Sequence, residues 1–88
     1  MLTVLILSPY DLLFEGHAQY VTLAGEQGVF EVWPFHRPLV SRLLPGLIVV
    51  DEQPFAIRRG VVKVTYDTVT AMVEPELPDE QDVLESRW

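Results

Sequence analysis

The stretch that decides the fold is VKVTYDTVTAMV, residues 62–73. Val62, Val64 and Tyr66 alternate with Lys63 and Thr65, and the apolar set resumes at Val69, Ala71 and Val73. Successive side chains of a strand point to opposite faces, so this pattern predicts two strands sharing one buried face. Asp67–Thr68 supplies the turn chemistry between them.

Working upstream, the same grammar repeats. Leu47–Val50 and Pro54–Arg58 read as strands around a charged turn, Asp51–Glu52. Pro45–Gly46 punctuates, after a short pairing segment at Leu39–Leu43. An irregular loop is expected between Pro34 and Pro38, and Val29–Trp33 precedes it as a strand. Gly25 and Gly28 bracket a tight turn. Gly16 opens a strand from His17 to Leu23, with Val21 and Leu23 on one face and Tyr20 and Thr22 on the other. Leu12–Glu15 is a short extended piece, and Leu2–Leu7 is a first strand stopped at Ser8–Pro9. Gly16, Gly25, Gly28, Pro34, Pro38, Gly46 and Gly60 are thus the expected structural turns. The only candidate helical turn is Asp79–Leu84, too short to hold without tertiary support. The expectation is an all-β fold, a small β-sandwich of about 8–10 short strands over residues 1–74, followed by an acidic tail over 75–88.

Composition supports one small domain. Of 88 residues, 49% are hydrophobic, enough for one core and too many for a disordered chain. No run approaches the roughly 18 apolar residues of a membrane-spanning helix. The opening MLTVLILSPYD lacks the basic region and cleavage site of a signal peptide, so it reads as a strand. There is no cysteine and hence no disulfide framework. The net charge of -7 opposes binding to nucleic acid or to an anionic membrane surface. Most of that excess lies in Glu74–Trp88, which has six acids and one arginine, whereas Met1–Val73 carries seven acids and five bases.

The residues that carry chemistry elsewhere lack the right company here. His17 and His36 are the only histidines, and no carboxylate spacing completes a metal site around them, so they read as turn or surface residues. Ser8, Ser41 and Ser86 have no nucleophile-elbow context. GEQG, residues 25–28, is followed neither by Lys-Ser or Lys-Thr nor by a helix, so it is not a phosphate cradle. Neither a catalytic residue, a metal nor a cofactor is expected. The unusual features are Trp33 and Phe35, two large aromatics that alternate with Pro34 and His36. They either plug the open end of a small core or form, with Arg37, a contact patch of the kind favoured at interface centres. Arg58 and Arg59, beside Gly60, are either a solvated hairpin end or a salt-bridging contact with a partner.

In order along the chain, these elements resemble the N-terminal β-sandwich domain of the epsilon subunit of F-type ATP synthase, called delta in mitochondria. Ser8–Pro9 follows the first strand, Phe14–Glu15–Gly16 is similar to a Phe-x-Gly element, and Gly25–Gly28 to a Gly-x-x-Gly turn. Pro34–Leu39 is similar to a Pro-x-His-x-Pro-Leu loop, and Leu43–Gly46 to its Leu-x-x-Gly ending. Phe55–Val64 resembles the segment with Gly-Gly-Phe-x-Glu-Val, and Asp67–Thr70 the Asn/Asp-x-Val-Thr turn. Departures stand beside the matches: Trp33 where the family has Leu, Phe35 for Gly or Asn, and Arg37 for Ala. Arg59 replaces a glycine, Val61 a Phe and Lys63 a Glu.

The resemblance implies a non-catalytic rotor subunit of the central stalk. It would bind the gamma subunit and the c-ring and couple ion-driven rotation to ATP synthesis or hydrolysis. Its place would be peripheral, at the cytoplasmic face of a bacterial membrane. Candidate contacts, chosen by residue type, are Trp33, Phe35, His36, Arg37 and Leu39 on one loop, with Arg42, Arg58 and Arg59. Typical bacterial members of the family carry a two-helix C-terminal domain, whereas this sequence runs only 14 residues past Glu74. The expectation is a short form that does not latch the enzyme with a C-terminal helix. The competing class is a free-standing sandwich that binds a small carbohydrate-type ligand by stacking on Trp33 and Tyr20.

Overall fold

A computed structural model describes residues 1–76, and all of its regular structure is strand. The elements are β1 (Leu2–Leu7), β2 (Leu12–Ala18), β3 (Val21–Gly25), β4 (Gly28–Val32), β5 (His36–Leu43), β6 (Gly46–Val50), β7 (Gln53–Tyr66) and β8 (Thr68–Pro75). The proposed helical turn over 79–84 and most of the acidic tail lie outside the described residues.

Hydrogen-bonded neighbours run β2-β1-β8-β7-β5-β3-β4, and β6 joins β3 and β7. All pairs are antiparallel except β1 with β8. The continuous ladder folds into two layers because β7 belongs to both. Its first part pairs with β6, from Gln53↔Val50 to Ile57↔Gly46, and its second part pairs with β5, from Gly60↔Leu43 to Tyr66↔His36. Leu44–Pro45 makes the matching break between β5 and β6. At the bend of β7 the backbone runs so close to β8 that a Cβ on Gly60 would lie 2.6 Å from the Met72 carbonyl oxygen. Only glycine fits that crossing.

Strand alternation then builds the core. Leu2, Val4 and Ile6 of β1, Val62 and Val64 of β7, and Val69, Ala71 and Val73 of β8 come from one layer. Val21 and Leu23 of β3, Val32 of β4, and Ile48 and Val50 of β6 come from the other. These side chains form a single apolar cluster, with Phe14, Phe30, Leu39 and Phe55 packed at its margins. The side chains of Phe14 on β2 and Phe55 on β7 meet edge to face, with ring centroids 5.6 Å apart, and close one flank.

The all-β sandwich expected from the sequence is present, and several boundaries differ. The second long strand does not run from His17 to Leu23. It breaks at Gln19–Tyr20, where the chain crosses between layers, and Gly16 lies inside β2 opposite Val4 instead of in a turn. Pro54–Arg58 and Val62–Tyr66 are one 14-residue strand, so Gly60 marks a bend and not a turn. Pro38 sits within β5 at a register shift between His36 and Leu39, where its missing N–H leaves no ladder bond broken. The last hairpin turns at Tyr66–Asp67, one residue earlier than expected. Thr65 and Thr68 pair, and Tyr66 takes φ 41°, which swings its ring off the buried face.

Candidate functional site

Four connections gather at one end of the sandwich: Gln19–Tyr20, Trp33–Phe35, Asp51–Glu52 and Tyr66–Asp67. They are stitched by long-range bonds. The Asp51 carboxylate accepts the Gln19 amide at 2.9 and 3.1 Å and the Tyr20 amide at 3.1 Å. The Asp51 amide donates to the Tyr20 carbonyl at 3.3 Å, and the Thr3 amide donates to the Asp67 carbonyl at 2.7 Å. Asp51–Glu52, the charged turn expected from the sequence, is a hairpin corner whose first carboxylate clamps the neighbouring crossover. Both residues have positive φ, 47° and 80°, as a two-residue primed turn requires.

The Trp33–Arg37 segment turns at this end. Pro34 takes the second position of the turn and Phe35 the third, with φ 67° at Phe35. Proline followed by positive φ is the pattern of a type II turn, whose third position favours Gly or Asn. The Trp33 ring stacks on Tyr20 with centroids 5.2 Å apart and planes at 22°, and its Nε1–H donates to Glu31 Oε1 at 3.1 Å. The His36 Nδ1–H donates to the Arg37 carbonyl at 2.7 Å, a bond between neighbours just past the turn. Phe35 has no such engagement and is 85% exposed.

The structure separates the candidate contacts into two groups. Trp33, Phe35, His36 and Arg37 cluster at the turn, but His36 onward is strand β5 and not a continuation of a loop. Leu39 is half-buried against the core. Arg42, Arg58 and Arg59 lie at the other end of β5, about 20 Å away by strand rise. Arg58 and Arg59 are at the β7 bend, not at a hairpin end, and both engage Glu74 of the same chain, at 3.7 and 2.8 Å. Two participants were not singled out from the sequence. Tyr66 joins the corner by pairing with His36, and Glu31 fixes the Trp33 ring. The first depends on register between distant segments. A local signal did exist for Glu31, two residues before Trp33 on alternating strand positions.

Among the described residues no three His, Asp or Glu side chains gather as a metal site. Tyr20 and Trp33 cover one another's faces, which removes one surface of the platform a stacked sugar would use. Between the edges of β4 and β5 runs an open cleft lined by Val29, Phe30, His36, Leu39 and Ser41, and it is shallow.

Residues 1–75 match the family model described as ATP synthase, Delta/Epsilon chain, beta-sandwich domain. The chain belongs to this family. Among curated relatives, it is 37% identical over 78 residues to the ATP synthase epsilon chain of Nitratiruptor sp., covering 83% of this chain and 60% of that one. With the ATP synthase epsilon chain of Xanthomonas campestris it shares 36% over 74 residues, covering 78% and 53%. The chain thus spans about half to three fifths of the length of these relatives. Two solved structures share this fold at 18% identity. A chain in the Euglena gracilis mitochondrial ATP synthase structure, described as OSCP/F1/c-ring, gives a TM-score of 0.75, covering 97% of this chain and 62% of that one. A chain in the Tetrahymena thermophila mitochondrial ATP synthase central stalk/c-ring structure gives 0.70, covering 83% and 63%. At that identity both speak to the fold.

Proposed function

We propose that this chain is a non-catalytic central-stalk subunit of an F-type ATP synthase. It would sit against a gamma-type subunit and a c-ring and help pass ion-driven rotation to the catalytic head. The observation that carries the reading is the delta/epsilon family match across residues 1–75, joined by epsilon-chain relatives at 36–37% identity. The physics agrees. A two-layer sandwich with one continuous apolar core resists shear, as a part under torque must. Among the described residues, its surface offers contact corners and carries no cluster of three or more His, Asp or Glu side chains that could hold a metal.

In this reading the sandwich is the contact-bearing unit, held peripherally to a bacterial membrane on its cytoplasmic side. The Trp33–Arg37 corner and the Arg42, Arg58 and Arg59 end are its two candidate contacts, and their separation suits engagement of two different partners. The test is reconstitution. Add the purified chain to a bacterial F-type complex depleted of its own delta/epsilon subunit, and follow ATP-driven ion pumping in vesicles. Restored pumping with the chain retained on the complex is expected. A chain that neither sediments with the complex nor changes pumping refutes the proposal.

A further inference from the structure

Phe35 combines three properties that oppose one another in a free domain. Its backbone lies in the left-handed region at φ 67°, its side chain is 85% exposed, and it has the bulk of a full aromatic ring. Left-handed backbone is unfavourable for any residue with a Cβ, and most of all for a bulky one without a short polar group to bond locally. Glycine or asparagine would serve this turn better. An exposed ring recovers little burial in return.

The surroundings show that the turn is held, not slack. Pro34 sets the preceding φ, and Trp33 is fixed between Tyr20 and Glu31. A strained residue maintained by a rigid frame, with its side chain pointed at solvent, marks a contact element. Around it stand Trp33, 50% exposed, and Tyr66, 60% exposed and itself at positive φ. Arg37 is exposed on the strand side. Two backbone outliers and three exposed aromatics therefore share one corner.

We infer that Phe35 is the anchor by which this corner docks on another protein subunit of the rotor. The partner surface is an apolar recess wide enough for a phenyl ring, with a carboxylate at its border for Arg37. The same end of the sandwich carries the acids Glu31, Glu52 and Asp67, which repel an anionic bilayer, so a protein recess fits better than a lipid surface. The strain is the reason for the fixed frame: the ring is presented in its bound position before the partner arrives. This inference rests on the rotor reading and adds the residue that fastens it.

The test uses the opposite signs that the two roles predict. Phe35→Gly relieves the turn and should raise Tm by about 2–8 °C, because loss of the left-handed penalty exceeds the extra chain entropy of glycine. The same substitution should weaken binding to the assembled gamma subunit and c-ring about 10- to 100-fold, as loss of an aromatic anchor does. Phe35→Tyr keeps the ring and should bind within about threefold of the original chain. A Phe35→Gly chain that binds as tightly as the original overturns the inference while leaving the rotor reading intact. An original chain that fails to bind the rotor assembly overturns both. Binding of the free chain to zwitterionic vesicles, lost in Phe35→Gly, would assign the corner to lipid and also overturn the inference.

Discussion

Replacing Asp51 with alanine removes the clamp that ties the β6–β7 turn to the β2–β3 crossover. The carboxylate accepts two backbone amides, Gln19 at 2.9 Å and Tyr20 at 3.1 Å, across more than thirty residues of chain. A hydrogen bond to a charged acceptor contributes about 1.5–3 kcal/mol when well buried. Here Gln19 is exposed and Asp51 and Tyr20 are half-buried, so water recovers part of each loss. A total near 2 kcal/mol is expected, which lowers the folding constant about thirtyfold and Tm by about 8–16 °C in a domain this small. Asp51→Asn keeps one acceptor and suits the positive φ of 47°, so it should lose about half as much. Urea and thermal unfolding followed by circular dichroism measure both. An Asp51→Ala chain within about 0.5 kcal/mol of the original refutes the clamp, since that is the range of an ordinary surface change.

The other corners give predictions of either sign. Glu52, exposed at φ 80°, should gain stability as Glu52→Gly, by about 0.5–1 kcal/mol in urea unfolding. Gly60→Ala drives a Cβ to 2.6 Å from a backbone oxygen of β8 and should cost about 1–3 kcal/mol, with a lower urea midpoint at unchanged slope. Arg59 pairs with Glu74 at 2.8 Å but its side chain is 78% exposed, so Arg59→Ala should change stability by less than about 0.5 kcal/mol. If the β7-bend end contacts a partner, the same substitution shows its effect in co-sedimentation with the stalk complex.

The parts of the fold that were legible in the sequence are those governed by local periodicity. Val62, Val64, Val69, Ala71 and Val73 announce their buried face because a strand repeats every two residues. Gly25 and Gly28 announce their hairpin because Gly28 needs its φ of 122°. What escaped is fixed by distant partners or by backbone signs that residue type hides. Nothing in Gln19–Tyr20 marks a crossover; Asp51 makes it one. Asp67–Thr68 has better turn chemistry than Tyr66–Asp67, yet register with β8 puts the turn on a tyrosine. Gly60 reads as punctuation because a glycine that opens a turn and one that permits a close crossing look alike in one dimension. At the candidate site, the sequence showed two aromatics on either side of Pro34. The strained φ of Phe35, and the remoteness of Arg42, Arg58 and Arg59, come only from the three-dimensional arrangement.

The central claim is membership in a rotating stalk. Native mass spectrometry of the affinity-tagged chain, gently purified from the cells that make it, tests this most directly. One copy of the chain is expected in a stoichiometric assembly with a gamma-type coiled-coil subunit and nucleotide-binding subunits. A chain recovered only at its own mass, with those subunits present in the same lysate, would contradict it.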